Sequence, residues 1–360
     1  MAHHRHHFFS YLHCLSKQPI PQDIVLYPSV FNTLFPISSD TQSPHERRTD
    51  LPTAGECAVH LELFEVFHTL RTRIIYSKEL DRVFGLHSSH LRISGHRRES
   101  QQTEKWHRFV SLAVDRFQHW IRAADTLLKQ DENNETHIVP PPVDILMVWH
   151  ALLLNPLDYK NFCTSHQLHR VQEVPFPWSA IHNSINPTTW SYTPPPSPLN
   201  QWLESEANII PTDLFLNLTH PTQTPPNLSP TPNLIETESL MHNVLRQTTF
   251  INHMHTYLWI RSPDIEEILD DARESYSNFV ELFRLYPGVI LVPTLAIDLV
   301  WHTHLCSAER YTGFMMERVG RFIDHDDKLG KGTLDDGFER TKVLFEREFG
   351  GCEGSTEDPV

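Results

Sequence analysis

Apolar residues recur at every third or fourth position over most of this chain, and almost no run alternates at every second position. Spacings of three and four place side chains on one face of a helix, whereas a half-buried strand has a period of two. The chain is therefore expected to be all-α. Helices are predicted over residues 56–84, 103–129, 144–154, 238–258, 264–285, 296–306 and 338–349, with a loop over 330–337.

Two stretches of the chain resemble each other. Residues 140–162 align without gaps with residues 292–314 at an offset of 152 residues, which superposes the Trp-His dipeptides at 149–150 and 301–302. Both stretches also keep a Tyr and a final Phe in register. The alignment predicts two related halves, each with a Trp-His helix segment, joined by a Pro-rich loop region.

Shifts in composition suggest where the two halves begin and end. Residues 175–232 hold 13 of the 27 Pro, and Pro cannot continue a helix interior or a central strand. The predicted parts are an extended arm at 1–55, a first helical half with a Pro-rich wrap at 56–218, a linker at 219–235, a second helical half at 236–349 and a frayed tail at 350–360.

Charge and composition exclude several classes of protein. The net charge is -15 with a pI near 5.9, so a general DNA- or RNA-binding surface and adhesion to anionic lipid are not expected. No run of about 18 apolar residues is present, which argues against a transmembrane helix. The five scattered Cys suit a reducing compartment, the cytoplasm or the nucleus, and the N-terminal His cluster is expected to have no catalytic role.

The second Trp-His segment contains the candidate chemistry. On a helix, Asp298 and His302 lie about 40° apart, so their side chains can meet, whereas His304 lies about 160° from His302. A metal site would need a further ligand from elsewhere, and the IDHDD run supplies His325 and Asp326. Two His and a carboxylate are ligands that Zn and Fe proteins use. The candidate metal ligands are Asp298, His302, His304, His325 and Asp326.

Packing offers a competing explanation of the same residues. The upstream copy has Leu146 where the downstream copy has Asp298, and Leu152 where it has His304. The features that both copies share are better explained by a buried Trp, a hydrogen-bonded His and a Tyr that caps the next turn. Any chemistry specific to the second half must therefore rest on residues that the first half lacks.

Other catalytic motifs are missing from the sequence or weak. The sequence has no P-loop, no GxGxxG fingerprint and no GxSxG elbow. Cys306 follows His302 at a spacing of four, but a buried Cys on a helix is much commoner than a catalytic Cys-His pair.

The motifs LVPTLAIDLVWHTH and GRFIDHDD, together with the upstream PPPVDILMVWHALLLNP, resemble the glycine-rich domain-containing protein-like family of plants and fungi, and in particular its fungal branch. The resemblance covers roughly residues 56–349. Plant members of that family carry an RNA-binding motif and a glycine-rich tail, but this chain has only 12 Gly, so an RNA role is not implied. The family pattern usually has Asp at the position of Ala296, and Cys352 stands alone where fungal relatives have a Cys-rich end.

Two functions are consistent with these observations. The first is a non-enzymatic interaction or regulatory protein that acts through a protein partner. The second is a mononuclear metal-dependent enzyme, an oxygenase or a hydrolase, that uses the His and Asp ligands of the second half with Fe or Zn. The position of His325 relative to His302 and His304 distinguishes these two functions.

Overall fold

The structure is a computed structural model of the 360-residue chain, and it describes residues 51–86, 95–130, 138–196, 213–220 and 234–350. These ranges contain helices and one isolated antiparallel bridge, between Ile185 and Tyr192, but no strand. The all-α prediction is confirmed. The helices are α1 (Ala54–Tyr76), α2 (Lys78–Val83), α3 (Gly95–Gln130), α4 (Val143–Leu153), α5 (Pro156–Ser165), α6 (Trp178–Ser184), α7 (Leu214–Thr219), α8 (Leu234–Tyr257), α9 (Ile265–Leu285), α10 (Leu295–Leu305), α11 (Ala308–Arg318) and α12 (Lys331–Phe349).

Several predictions fall outside the described residues. They are the N-terminal His cluster, nearly all of the predicted arm, most of the 219–235 linker and the tail beyond Gly350. The domain boundaries proposed from composition stay predictions.

The first predicted helix is interrupted at Ser77, where α1 gives way to α2. The Ser77 hydroxyl accepts the backbone N–H of Leu80 at 3.2 Å, which is the hydrogen bond of an N-cap. Serine competes in this way with the helical backbone, so it starts a new helix inside a continuous apolar pattern.

The last helix begins seven residues earlier than predicted, at Lys331 instead of Phe338. Glycines at 332 and 337 made this stretch resemble a loop, since Gly weakens a helix interior. Gly337 has a packing reason: a Cβ there would lie 2.6 Å from Val292 Cγ2. The close approach of the two segments requires a residue without a side chain.

The described residues divide into two compact units. Unit 1 comprises residues 51–62, Leu154–Leu157 and 253–350, and unit 2 comprises 63–153 and 158–252, within the described ranges. Helices α1, α5 and α8 contribute residues to both. Among the described helices, none combines the length and the apolar character that a bilayer-spanning segment requires.

In unit 2, helix α4 packs against α3 through aromatic rings and one buried ion pair. The Trp149 ring lies 5.1 Å from Trp120 and 5.0 Å from Phe176, measured between centroids. Arg116 Nε lies 3.1 Å from Asp144 Oδ2, and both side chains are buried. Deleting one partner of a buried ion pair lowers the stability of the fold much more than deleting one partner of a surface pair.

In unit 1, helix α10 packs against α9 in a comparable way. The Trp301 ring lies 5.6 Å from both Phe279 and Phe283. Its indole N–H donates to the Tyr311 hydroxyl at 3.2 Å, and that hydroxyl donates to the Ile323 carbonyl at 2.7 Å. Trp301 is therefore a core residue that also connects α10 to the segment after α11.

The internal geometries of the two units share details at the offset of the sequence repeat. Helices α4 and α10 each have 11 residues and begin at aligned positions. Tyr159 donates to the carbonyl of Val171 at 3.2 Å, as Tyr311 does to Ile323. These details agree with the packing explanation of the shared Trp, His and Tyr, and the two related halves stay a prediction.

Candidate functional site

Helix α10 brings Asp298 and His302 together on one face. The helix begins after Thr294, whose hydroxyl accepts the N–H of Ile297 at 3.4 Å. Four residues make about one turn, so Asp298 Oδ2 lies 3.4 Å from His302 Nε2. Both side chains are nearly inaccessible to water. The adjacency follows from local helix geometry alone.

His325 reaches the same place from the segment that follows α11. Its Nε2 lies 3.1 Å from His302 Nε2 and 3.6 Å from Asp298 Oδ1. The opposite ring nitrogen, Nδ1, lies 3.0 Å from the carbonyl oxygen of Leu154, so it must carry a proton and donate it. In the neutral ring this leaves a lone pair on Nε2, directed toward the other two residues. A backbone carbonyl that fixes the tautomer is a common support of a metal-binding His.

The IDHDD segment is held in place on both sides of His325. Asp324 Oδ1 accepts the backbone N–H of Leu157 at 3.3 Å. Asn155 donates to Asp327 Oδ2 at 3.4 Å. The Trp301 and His325 rings meet in a T-shaped arrangement, with their centroids 4.8 Å apart and an interplanar angle of 88°. These contacts position the His325 ring before any ligand binds.

Charge in the cluster is balanced against burial. Burial disfavours the ionised carboxyl of Asp298, but the neighbouring His302 and His325 imidazoles outweigh it and hold the pKa of Asp298 below its usual value. Burial also disfavours the His325 imidazolium, but the hydrogen-bonding and charge of Asp298, with a contribution from Asp327, raise the pKa of His325 above its usual value. The cluster therefore favours a positive charge beside the carboxylate, whether a proton or a metal ion supplies it.

The distances fit a common metal ion. Zn–N bonds of about 2.0–2.1 Å in a tetrahedron place neighbouring ligand atoms roughly 3.3–3.4 Å apart. His302 Nε2 and His325 Nε2 lie 3.1 Å apart, and each lies near a different oxygen of Asp298, His302 at 3.4 Å from Oδ2 and His325 at 3.6 Å from Oδ1. Asp298 Oδ1 is buried, and its contact with His325 Nε2, at 3.6 Å, is longer than an ordinary hydrogen bond. A buried carboxylate oxygen in that condition is costly, and a cation would satisfy it.

The structure separates the other two candidate ligands from this cluster. His304 Nδ1 lies 3.1 Å from the Tyr276 hydroxyl, and its ring packs against Tyr311 and Phe314. Burial, followed by the charge of Arg310, lowers the pKa of His304 well below its usual value, so it stays neutral. Asp326 accepts the N–H of Lys328 at 3.0 Å. Three of the five candidates come together, and His304 and Asp326 do not join them.

Cys306 has the properties of a core thiol. It is buried, and burial raises its pKa well above the usual value. A nucleophilic Cys needs a lowered pKa and partial exposure. The arrangement does not activate Cys306 as a nucleophile.

His150, the upstream counterpart of His302, packs against aromatic side chains. Its ring lies 5.8 Å from Phe64 and 5.4 Å from Phe67. Burial lowers its pKa to about 3, so the ring is neutral at physiological pH. Leu146 occupies the position of Asp298 on α4, which explains why unit 2 offers no carboxylate at the matching place.

The neutral state of His150 predicts an acid sensitivity. An unfolded His binds a proton with a pKa near 6.5, while folded His150 does not until about pH 3, so the unfolded state binds more protons in this window. Stability should therefore fall as the pH drops. His150 alone should lower the free energy of unfolding by about 2 kcal/mol between pH 7 and pH 5.

Urea unfolding of the wild type and His150→Leu at the two pH values measures this loss. The variant should lose about 2 kcal/mol less than the wild type on acidification. The same substitution at the exposed His169 provides a control on the protein surface. Parallel pH dependences for the wild type and His150→Leu would contradict the assignment.

Comparisons with known proteins find one family that part of this chain resembles. Residues 207–313 match the sequence profile of the family described as glycine-rich domain-containing protein-like. Glycine-rich domain-containing protein 2 of Arabidopsis thaliana is 29% identical over 222 residues, which is 58% of this chain and 25% of that protein. Glycine-rich domain-containing protein 1 of the same plant is 28% identical over the same shares of both chains. Over this part of its length the chain is similar to the glycine-rich domain-containing protein-like family.

These matches confirm the resemblance seen in the sequence, while the fungal branch stays a prediction. The chain spans about a quarter of the length of the two plant relatives. The matched profile includes Asp298 and His302 but ends before His325. No solved structure matches the chain.

Sequence reasoning missed one part of this site, the carbonyl of Leu154. That carbonyl lies 171 positions from His325 in the sequence and fixes its tautomer. Backbone carbonyls occur at every position, so no sequence signal distinguishes one that supports a His.

Proposed function

We propose that this protein binds one divalent transition metal ion, Zn or Fe, through Asp298, His302 and His325. The observation that supports it most is that one ligand atom from each of the three residues lies within 4.8 Å of the others. Such a convergence of buried polar atoms is expensive to maintain without a ligand, because each is withdrawn from water.

The ligand set restricts the kind of metal and its coordination. Two neutral imidazoles and one carboxylate suit Zn and non-haem Fe, whereas Mg and Ca prefer oxygen ligands. Three protein ligands leave at least one coordination position for a small molecule, as in catalytic zinc sites. The His325 side chain is 11% exposed, so the cluster has an edge that water can reach. A bound metal would polarise a molecule placed there.

Metal analysis tests the proposal directly. The chain without residues 1–13 and without a His tag removes the N-terminal histidines as competing ligands. We expect about one equivalent of Zn or Fe per chain after purification and dialysis, because a working mononuclear site fills at low free metal. Asp298→Asn keeps the shape of the side chain and should lower the bound metal to below about a tenth of an equivalent.

The matched control is Asp326→Asn, which makes the same substitution one residue from His325 but outside the cluster. It should retain the wild-type metal content. A wild-type protein with less than about a tenth of an equivalent after reloading at neutral pH would refute the site, since structural and catalytic sites both fill. Circular dichroism of each variant distinguishes loss of a ligand from loss of the fold.

Cobalt substitution separates a catalytic from a closed site. Co(II) replaces Zn in tetrahedral sites, and its visible absorption depends on the ligands and the geometry. If a coordination position is open, added azide should change this spectrum, which favours the metal-dependent enzyme. An unchanged spectrum at full Co(II) occupancy would favour a metal with a structural role.

The first function predicted from the sequence, a non-enzymatic interaction protein, is compatible with a structural metal. In that case the ion would hold the IDHDD segment against α10 and stabilise unit 1. The protein partner and the location in the cytoplasm or nucleus stay predictions.

A further inference from the structure

The Asp298, His302 and His325 cluster is accessible where the IDHDD segment meets solvent. His325 has the most exposed of the three side chains, at 11%, compared with 5% for Asp298 and 3% for His302. It lies in this segment, whose Asp324 and Asp326 are exposed on either side of it. A small molecule at the open coordination position of a bound metal would therefore lie near acidic side chains.

Asp327 is the acidic residue of this segment that a buried side chain holds in place. Its Oδ2 accepts a hydrogen bond from Asn155 Nδ2 at 3.4 Å, and Asn155 is 3% exposed. Leu154, which precedes Asn155, binds His325 Nδ1 through its carbonyl. Two consecutive residues therefore position both His325 and Asp327.

The charge of Asp327 acts on two of the three proposed ligands. It opposes the lowering of the Asp298 pKa and contributes to the raised pKa of His325. Within the described residues, the group of ligand atoms that lie within 4.8 Å of one another comprises Asp298, His302 and His325, and it does not include Asp327. Asp327 is therefore near enough to change the charge at the metal without being one of the ligands.

The arginines that precede this segment have other partners. Arg321 donates to the carbonyl of Phe283 at 3.0 Å, and the guanidinium carbon of Arg318 lies 5.8 Å from the centre of the Phe314 ring. Lys328, which follows the segment, is exposed. Binding of an anionic group generally relies on Arg or Lys donors directed at it. The contacts of the two arginines direct neither of them to the cluster.

These charges restrict the kind of molecule that can bind at the open position. A divalent ion held by Asp298 keeps one uncompensated positive charge, which the charge of Asp327 would partly offset. An anion would gain little from such a site, whereas a neutral ligand could donate an N–H or O–H to the nearby carboxylate. We infer, on the basis of the proposed metal site, that its open position takes a neutral hydrogen-bond donor in preference to an anion, and that Asp327 sets this preference. A neutral ligand such as water suits a hydrolase, in which the metal activates the bound water.

Ligand titration of the Co(II)-loaded full chain tests the inference, because the visible spectrum of Co(II) reports on its ligands. The two probes are imidazole, which is mostly neutral at about pH 8 and carries an N–H, and azide, which is an anion. Asp298→Asn serves as the blank for Co(II) bound elsewhere, for example at the N-terminal histidines. The measured quantity is the ratio of the Kd of azide to the Kd of imidazole.

Variants of the acidic residues assign the preference to Asp327. Asp327→Asn keeps the shape of the side chain and removes its charge, so the ratio should fall at least about fivefold. Asp327→Glu keeps the charge and should leave the ratio within about twofold of the wild type. The matched control is Asp326→Asn, which removes the charge of the exposed neighbour and should change the ratio less than about twofold, because solvent screens that charge. Circular dichroism should show all variants folded.

Four results would overturn the inference. The first is an unchanged ratio in folded, Co(II)-loaded Asp327→Asn, and the second is an equal fall in Asp326→Asn. The third is loss of Co(II) from Asp327→Asn, which would make Asp327 a ligand itself. The fourth is a spectrum that neither probe changes at full Co(II) occupancy, which would show that no position is open. Absence of Co(II) from the wild type would instead refute the proposed metal site, so the two failures are distinguishable.

Discussion

Replacing Arg116 with Met should destabilise the protein by about 3–5 kcal/mol, because the substitution leaves the buried carboxylate of Asp144 without its counter-ion. The Arg116 and Asp144 side chains are 2% and 0% exposed, so water cannot take the place of the guanidinium. Burial already raises the pKa of Asp144 against the opposing charge of Arg116. The carboxylate also accepts backbone N–H groups, among them that of Leu214 at 3.2 Å.

A second carboxyl increases this cost. Burial, and then the charge of Asp144, raises the pKa of Asp213 to about 6. Without Arg116, the two acidic side chains would both lack a nearby buried cation, since Arg73 lies 3.9 Å from Asp213 and is partly exposed. The loss of stability in Arg116→Met should therefore shrink at pH 5, where protonation of the carboxyls removes the buried charge.

Urea unfolding at pH 7 and pH 5 measures both effects, with fluorescence and circular dichroism compared to test for a two-state transition. The double variant Arg116→Met with Asp144→Leu should recover most of the loss, because no charge is then left buried. The control is Arg122→Met on the same helix, which removes a half-buried Arg that donates to the carbonyl of Gln118. A loss below about 1 kcal/mol in Arg116→Met would show that water reaches Asp144.

Replacing Trp301 with Ala should cost about 3–5 kcal/mol, the range found when a buried aromatic side chain is truncated. The ring fills the space between Phe279 and Phe283 and is 4% exposed. The substitution also removes the N–H that donates to Tyr311, whose hydroxyl holds the carbonyl of Ile323. His325 lies two residues after Ile323 and packs on Trp301. The amount of metal bound per chain should therefore fall together with the stability.

Two further variants separate packing from hydrogen bonding at this position. Trp301→Phe keeps a ring but loses the N–H, and should cost about 1–3 kcal/mol. Trp149→Ala truncates the aligned residue of unit 2 and should cost as much as Trp301→Ala, about 3–5 kcal/mol, without lowering the bound metal. A loss below about 1 kcal/mol in Trp301→Ala would show that this residue is not part of the core.

Much of the fold could be predicted from local patterns. The apolar spacing indicated the long helices, and the helix predicted over residues 144–154 lies within one residue of α4 at each end. The prediction of the last helix was wrong at its start, because the residue type found there depends on a contact with a distant part of the chain. Gly337 suggested a loop, since Gly weakens a helix interior. The structure gives another reason for this Gly, namely the close approach of Val292, which lies 45 positions earlier in the sequence.

The candidate site was predictable in part, for a comparable reason. Helical geometry alone places Asp298 beside His302 and directs His304 elsewhere, and the structure shows both. The sequence also suggested the IDHDD run as the source of another ligand. It could not tell His325 from Asp326 as that ligand, because the choice depends on how the segment packs between Leu154 and Trp301.

The sequence by itself determined the all-α class, the resemblance to the family, the Trp-His repeat and the adjacency of Asp298 and His302. Each depends on residues close together in the chain or on a recognisable motif. The tertiary structure decided that His325 completes the cluster, that His304 belongs to the core and that Asn155 binds Asp327. These outcomes depend on contacts between residues far apart in the sequence, which the period of a helix does not specify.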